Sequence, residues 1–238
     1  MEQGILWQEL FLGYDLTIVK VDKLSILFGY LFHIAAFFGI IYALHVRDTV
    51  QQVSSIVYAG SALGAVFAGD MIVLFIFWEM LAISSVFLIW ARGTEQAYQA
   101  GMRYLILQIG SGVILLLGIL INIHQTGSIA ITTMSLEGLA SWLILLALGI
   151  KCAFPFLHTW LTDAYPEATP TGTVFLSAFT TKVAVYALAR TFPGAEVLIY
   201  IGATMAMFPI FFAVIENDLR RVLAYSLINQ VGFMVVGI

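Results

Sequence analysis

The stretch MIVLFIFWEMLAISSVFLIW, residues 71–90, is an apolar run of membrane length in which Glu79 is the only charged residue. As a helix, about twenty such residues cross roughly 30 Å of hydrocarbon. The composition of the whole chain agrees, since 61% of its 238 residues are hydrophobic, 10% are charged, and the mean hydropathy is +1.00. A soluble domain has roughly a quarter of its residues charged. The sequence therefore predicts an all-α integral membrane protein.

Further apolar segments of membrane length lie on both sides of this stretch, separated by charges or turn residues. Seven segments are complete and an eighth begins near Val222, so we predict about eight transmembrane helices after an extramembrane lead-in over residues 1–20. The eighth ends after about seventeen residues without a flanking charge or aromatic anchor, which predicts a truncated or split chain. The complete segments cover about 24–46, 53–69, 71–90, 104–123, 139–161, 171–190 and 197–215.

Basic residues beside these segments are distributed unevenly between the two sides of the predicted membrane. One side carries five of them and the other carries three. Because basic residues are retained on the cytoplasmic side, the richer side is predicted to be cytoplasmic and the N-terminus to lie outside. We therefore predict a multi-pass protein of the inner (plasma) membrane. The five are Arg47, Arg92, Arg103, Arg220 and Arg221, and the three are Lys20, Lys23 and Arg190.

Several classes of function are excluded by residues that the sequence lacks or contains only once. The net charge of -4 comes from 14 acidic and 10 basic residues without a basic cluster, which excludes nucleic acid as a partner. The single cysteine, Cys152, provides no disulfide and no thiolate metal cage. The sequence contains no nucleotide-, metal- or haem-binding motif. We therefore predict no cofactor, no metal and no bond-making catalysis by this chain, even if redox chemistry drives an assembly that contains it.

Three charged side chains fall near the middle of predicted membrane helices. Glu79 is the ninth residue of its segment, Lys151 the thirteenth and Lys182 the twelfth. Insertion scales assign about 2.5 to 3.5 kcal/mol to an Asp, Lys or Arg at the centre of such a helix. Because none of the three can easily reach the headgroups, each needs a function that offsets this cost.

A buried ion pair that merely locks helix packing is one explanation of these charges. Replacing such a pair by packed hydrophobic residues is often neutral or stabilising, so a pair is a poor device for stability alone. One carboxylate and two ammonium groups also do not balance, which favours a site at which protonation changes. The distance between Glu79 and Lys151 would then set the proton affinity of the lysine. We predict proton transfer through Glu79, Lys151 and Lys182.

A proline interrupts the segment that contains Lys151. Pro155 lies four residues after Lys151 and must break or kink the helix, because it lacks an N–H and clashes with the preceding turn. Within a membrane, such breaks are tolerated where the backbone is buried or lines a hydrated cavity; a simple packing kink is the alternative. His158 follows, and because histidine titrates near neutral pH we add it as a proton carrier, against the alternative of an interfacial anchor.

Three stretches of the chain resemble the antiporter-like subunits of membrane complexes. The most specific is KCAFPFLHTWLTDAYPEATPTGTVFLSAFTTKVAVYALAR, residues 151–190; FIFWEML around Glu79 and NDLRRVLAYSLINQVGF near the C-terminus fit as well. The family includes the D-type subunit of Mrp-type monovalent cation/proton antiporters and the proton-pumping membrane subunits of respiratory complex I. The resemblance covers nearly the whole chain from Val21. Thr162 departs from it, because a proline is common there.

The resemblance implies a fold with two inverted five-helix repeats, of which one has a broken helix. Residues 53–190 would form the first repeat and residues 197–238 would begin the second. Carried over on the matching motifs, Glu79 corresponds to the family's intramembrane glutamate. Lys151 and Lys182 correspond to the lysines of its broken helix and of the helix that follows.

From this resemblance we predict a proton-translocating subunit of a multisubunit Mrp-type monovalent cation (Na⁺)/proton antiporter, working beside other membrane subunits in the lipid bilayer. The close alternative is a proton-pumping membrane subunit of NADH-quinone oxidoreductase (complex I) or of a related membrane-bound hydrogenase, whose neighbours would carry the redox centres. A non-conducting structural membrane subunit is the third hypothesis.

Overall fold

The computed structural model describes residues 4–11 and 13–238. This part of the chain folds as a two-stranded antiparallel β-hairpin followed by nine helices. The strands are β1 (Gly4–Phe11) and β2 (Tyr14–Val21), and the helices are α1 (Lys23–Ala43), α2 (Thr49–Phe67), α3 (Met71–Trp90), α4 (Glu95–Thr126), α5 (Leu139–Cys152), α6 (Thr159–Ala164), α7 (Pro170–Thr191), α8 (Glu196–Ile215) and α9 (Leu219–Val236).

Most of these helices are suited to cross a membrane. Among the described residues, six are long and apolar enough, namely α1, α2, α3, α4, α7 and α8. Only 22% of the most apolar window of α1, and the same share of that of α8, is buried. The rest of their apolar surface is therefore left for lipid, since a soluble protein rarely exposes such continuous apolar patches. The predicted α-helical, multi-pass membrane fold is confirmed.

The remaining helices are shorter or more polar. With 14 residues, α5 covers only about 21 Å and cannot span the hydrocarbon alone. The chain continues beyond it through an irregular stretch into the six-residue α6. Helix α9 has 18 residues, but Arg220, Arg221, Asn229 and Gln230 make it less apolar than α8. The predicted segment 139–161 therefore corresponds to two helices separated by a break.

Apart from the break within 139–161, the helix bounds follow the apolar segments closely, with one difference at the start of α4. Helix α3 covers the predicted 71–90. Helix α4 begins at Glu95 rather than at the predicted 104, because Thr94 caps a polar extension by accepting the Ala97 N–H at 3.1 Å. Over its described residues, the predicted lead-in forms the β-hairpin, of which hydropathy gives no indication.

Asp70 joins the hairpin to the start of α3. One of its carboxylate oxygens accepts the N–H of Thr17 at 2.6 Å, and the other accepts the N–H of Val73 at 2.8 Å. The same side chain thus caps α3 and binds β2. The Gly69 N–H also donates to the Thr17 carbonyl at 3.0 Å. These bonds fix the hairpin against one end of the helices.

The opposite end carries most of the arginines, and we call it the arginine face, defined by Arg92, Arg103 and Arg220. Arg92 donates to Glu167 at 2.9 Å. Arg92 and Arg220 also donate to the same backbone carbonyl, that of Pro166, at 2.9 and 2.6 Å. The loop between α6 and α7 is therefore tied both to the end of α3 and to the start of α9.

Helix α7 is central to the packing, because it contacts α1, α2, α3, α5 and α9. Helices α8 and α9 form a close pair beside it. A Cβ on Gly202 of α8 would come within 2.7 Å of the backbone nitrogen of Val236 on α9, so the two backbones approach more closely than a larger residue allows. The polar residues of α7 therefore face protein on several sides.

An ion pair fastens the start of α1 to the end of α7. Asp22 caps α1 by accepting the Ser25 N–H at 2.9 Å, and its carboxylate pairs with Arg190. Burial acts to raise the pKa of Asp22, but the hydrogen bonds from Ser25 and Arg190 outweigh it and hold that pKa below its usual value of 3.8. Such a carboxylate stabilises the fold above its unfolded-state pKa, and this contribution is lost as the pH falls through the folded-state value.

Asp22→Asn is therefore expected to lower the melting temperature of the detergent-solubilised protein at neutral pH. The difference from the native protein is expected to shrink as the pH falls below about 4. Thermal unfolding followed by circular dichroism over a pH series measures both effects. Asp15→Asn, at an exposed position of β2, is the matched control and should change neither. A difference that stays constant down to acid pH would show that the ionised carboxylate is not what Asp22 contributes.

Candidate functional site

Helix α5 stops in the middle of the protein, at the residue after Lys151. It ends at Cys152, and its C-cap Ala153 has the left-handed φ of 62°, which is uncommon for a residue other than glycine. Pro155 follows within the irregular stretch that leads to α6. The Ile150 carbonyl accepts the indole N–H of Trp160 at 2.8 Å, so α6 provides a partner for a carbonyl at the end of α5. Lys151 thus lies in the last turn before a break, where the sequence predicted it.

The ammonium group of Lys151 is held by Trp78 of α3. Lys151 is fully buried, with 0% of its surface exposed. Its Nζ donates to the Trp78 carbonyl at 2.8 Å and lies 4.2 Å from the centre of the Trp78 ring. The ring face is the electron-rich side of an indole and attracts a cation. One residue of α3 therefore supplies both a hydrogen bond and a favourable electrostatic surface to this lysine.

Glu79 is the next residue along α3 and lies against α4. Its carboxylate is close enough to Lys151 for their charges to interact. No ion pair shorter than 4.0 Å joins them, however, since the ion pairs within residues 4–11 and 13–238 involve other groups. Glu79 Oε1 is buried, and no described residue donates a hydrogen bond to it. The lysine therefore bonds to a backbone carbonyl while the neighbouring carboxylate keeps an unpartnered oxygen.

Gly112 of α4 makes room for the Glu79 carboxylate. A Cβ at position 112 would overlap Oε1 of Glu79, whereas a Cβ at Gly110, on the same helix, would meet nothing within 4 Å. A glycine here is thus a packing requirement of the carboxylate, because any other residue would occupy its place.

Gly112→Ala is expected to displace Glu79 and to slow any transport that depends on it by roughly tenfold or more, the scale on which misplaced catalytic groups act. Gly110→Ala is the matched control, and it should transport like the native protein. Both variants are compared as the rate of pH-gradient dissipation in vesicles, normalised to the amount of assembled protein. Equal rates for the two variants would mean that the position of the Glu79 carboxylate is unimportant.

Lys182 occupies a separate position on α7. Its Nζ donates to the Ser177 carbonyl of its own helix at 2.8 Å. The group lies near the thiol of Cys152, the residue after Lys151. It also lines a cavity of about 420 Å³ that Phe28 of α1 and Met234 of α9 help to enclose. Lys182 is therefore near the end of α5 but bonds to neither Glu79 nor Lys151.

His158 lies at the other end of the break in α5. Its ring packs on Phe208 of α8, with the ring centres 4.7 Å apart. Its Nδ1 is buried, and no residue in the described part of the chain bonds to it. The structure thus brings Glu79 and Lys151 together, places Lys182 next to Cys152, and leaves His158 against an aromatic ring of a different helix.

The family described as NADH:quinone oxidoreductase/Mrp antiporter, TM, matches residues 68–238, which is most of the chain. The chain belongs to this family. The matched region contains Glu79, Lys151, Lys182 and the break in α5. The family that the motifs resemble is thereby confirmed.

Relatives of this antiporter family come from different complexes. The N-type subunit of NADH-quinone oxidoreductase of Desulforudis audaxviator is 32% identical over 249 residues, covering 92% of this chain and 49% of that protein. The D-type subunit of the Na(+)/H(+) antiporter of Alkalihalophilus pseudofirmus is 27% identical over 195 residues, covering 74% of this chain and 39% of that protein. A protein of the Mrp complex from Dietzia sp. has a TM-score of 0.82 at 24% identity, over 92% of this chain and 45% of its own length. The chain thus has the antiporter-family fold and spans half or less of these relatives.

Other buried polar residues of this family member lie around the site, and charge-based reasoning does not find them. Gln108 of α4 is fully buried. Tyr58, Tyr104 and Tyr165 are buried as well, and Thr180 of α7 bonds to Tyr58. An isolated glutamine in an apolar helix, in YLILQIGSGVILLL, is the one signal in the sequence that could have pointed to Gln108. The tyrosines are not conspicuous in the sequence, because an aromatic ring is common in a protein core.

Proposed function

We propose that this chain carries protons within the membrane through Glu79, Lys151 and Lys182, as one subunit of a multisubunit ion-translocating assembly. The observation that carries the proposal is the fully buried Lys151 ammonium, which lies beside a carboxylate with an unpartnered oxygen at the end of a broken helix. Burying such charges is costly in a membrane, and a loose pair stabilises a fold poorly. A site at which protons are exchanged accounts for both features.

The proposed transfer uses the two groups as alternating proton carriers. A proton passes from the Glu79 carboxyl group to the neutral Lys151 amine, which leaves a carboxylate and an ammonium group. The ammonium group then gives a proton onward in the direction of Lys182 and returns to the neutral amine. The Trp78 carbonyl and ring stabilise the charged form of Lys151 between these steps. His158, next to the break, is a further carrier in this proposal.

The finer proposal is a Mrp-type monovalent cation (Na⁺)/proton antiporter subunit in the plasma membrane, with the arginine face towards the cytoplasm. The likeness in fold to a protein of the Mrp complex and the similarity to the D-type Na(+)/H(+) antiporter subunit support it. The identity with the N-type subunit of NADH-quinone oxidoreductase, over 92% of the chain, supports the second candidate, a redox-driven proton pump of the complex I type. In both cases other membrane subunits are partners.

Inside-out vesicles that contain the complete assembly distinguish these functions. After respiration acidifies the interior, added Na⁺ is expected to dissipate the pH gradient if the assembly is a cation/proton antiporter. Proton uptake driven only by a reduced electron donor, with no response to Na⁺, would identify the redox-driven pump. If neither activity occurs in vesicles whose assembly is intact, the chain is a non-conducting structural subunit and the proposal is wrong.

A further inference from the structure

A buried polar stripe runs along α4 from the tyrosines to Glu79. Tyr104, Gln108 and Gly112 follow one another at four-residue intervals, so each lies about 6 Å further along the same face of the helix. All three are buried. Gly112 lies against the Glu79 carboxylate, and the Tyr104 hydroxyl is 2.8 Å from Oγ of Ser85 on α3. Gln108 therefore occupies the turn between the carboxylate and the hydroxyl.

Gln108 has unmet hydrogen-bonding capacity at this position. Its exposed surface is 0%, and neither its amide nitrogen nor its amide oxygen has a hydrogen-bond partner among the described residues. The buried Glu79 Oε1 also has no hydrogen-bond partner among the described residues. Buried polar atoms in folded proteins are almost always hydrogen-bonded, and ordered water serves where protein groups do not. Gln108 and Glu79 therefore have unpartnered polar atoms at neighbouring levels of the interface between α3 and α4, where internal water would supply the missing hydrogen bonds.

Tyrosine hydroxyls continue the stripe towards α7. The Tyr58 hydroxyl is 2.5 Å from Oγ1 of Thr180 and accepts the Thr180 N–H at 3.0 Å. The Tyr104 and Tyr165 hydroxyls also lie close to Thr180. Tyr165 donates to the Leu176 carbonyl at 2.9 Å. Thr180 is thus the centre of three buried hydroxyls contributed by α2, α4 and the end of α6.

Tyr165 connects these hydroxyls to a cavity at the arginine face. The cavity lies between α7 and α9, measures about 380 Å³, and has Tyr165, Thr173 and Arg220 in its wall. Ser177, whose carbonyl binds Lys182, lines the same cavity. This cavity is lined mostly by apolar surface, to which Tyr165, Thr173 and Arg220 add hydroxyl and guanidinium groups.

We propose that these groups form the proton route between the arginine face and Glu79, with Gln108 binding the internal water that bridges Tyr104 and the Glu79 carboxylate. The inference rests on the proposed proton transport. Along the route, each hydroxyl or water accepts a proton from one neighbour as it gives its own to the next, so one proton moves and no tyrosinate or hydroxide accumulates. Gln108 acts as a positioning residue, because its amide orients water without itself exchanging a proton.

Two conservative substitutions test the route in vesicles that contain the complete assembly. Gln108→Leu keeps the volume and removes the amide, and Tyr104→Phe removes one hydroxyl. Each is expected to slow proton transport roughly ten- to a hundredfold, within the range over which a positioned proton-transfer group acts. Each is also expected to change the ratio of rates in H₂O and D₂O, which a mere loss of packing would leave unchanged.

Gln51→Leu is the matched control. Gln51 is a buried glutamine as well, but its amide is already bonded to Thr171, away from Glu79. The route is supported if Gln51→Leu keeps the native rate and the native isotope ratio. Both quantities must also change in Gln108→Leu and in Tyr104→Phe. Native behaviour of Gln108→Leu and Tyr104→Phe, in an assembly that Lys151→Met inactivates, would overturn the route and leave the proposed function standing. Slower transport with an unchanged isotope ratio would also overturn it, since packing alone would then explain the loss.

Discussion

Lys151→Met is expected to abolish proton transport by the assembled complex while leaving the complex folded. Methionine is unbranched like lysine and only one atom shorter, but it has no group that takes up or releases a proton, so the carrier next to the break in α5 is lost. The expected loss is about a hundredfold or more, because a proton-transfer group contributes on that scale. The fold should tolerate the change, since the loss of the Lys151 contacts with Trp78 is offset by removal of a charge that is costly to bury. The measurement is pH-gradient dissipation in vesicles, normalised to assembled protein.

Two further variants separate a carrier from a structural ion pair. Lys23→Met removes an exposed lysine at the start of α1 and should leave transport unchanged. The double variant Glu79→Gln, Lys151→Met removes both charges together. If the pair were only structural, the double variant would regain the transport that the single variant had lost, because a buried pair can often be replaced without cost. We expect instead a stable assembly that remains inactive.

Glu79→Gln is expected to reduce transport by a similar factor of about a hundred. Glutamine has the shape of glutamate and fits against Gly112, so the packing of α3 on α4 is preserved. It cannot gain or lose a proton, and the exchange with Lys151 therefore stops. Rates measured over a range of external pH should stay low throughout. A native rate that is merely displaced along the pH axis would contradict the assignment.

A matched carboxylate at the exposed start of α4 controls for the loss of charge. Glu95 lies in the first turn of α4 and is exposed, so Glu95→Gln should transport normally. Loss of transport in both variants would point to a general effect of acidic residues on assembly. Retained transport in Glu79→Gln, with normal assembly, would remove Glu79 from the proton path.

The fold could be predicted from the sequence to a large extent because a membrane imposes one dominant constraint. A helix must keep its apolar side chains in lipid over its whole length, so hydropathy alone gave α3 its bounds. Outside the membrane this constraint is absent. The polar start of α4 depends on the Thr94 cap, and the hairpin depends on bonds to Asp70, which no hydropathy pattern encodes.

Residues of the site could be predicted only where the side chain is of a type that is unusual in an apolar helix. Glu79 and Lys151 are conspicuous as charges in apolar helices, and their proximity follows once α3 and α5 both pack against α4 and α7. Lys182 is equally conspicuous, yet its partner is the Ser177 carbonyl of its own helix. The role of Trp78 as the partner of Lys151 depends on how two helices meet, and no spacing in the sequence reveals it. The same is true of the hydroxyls around Thr180, which come from distant parts of the chain.

The most direct measurement of proton exchange at Glu79 is an infrared difference spectrum recorded while the assembled complex transports protons. We expect a carboxylic-acid C=O band that appears or disappears during transport and is missing in Glu79→Gln, because the Glu79 carboxyl group takes up and releases the transported proton. In Lys151→Met, where the neighbouring carrier is lost, Glu79 should keep one protonation state, so the band should be absent from the difference spectrum as well. A transporting complex whose spectrum is the same with and without the Glu79 carboxyl group would contradict the proposed proton transfer.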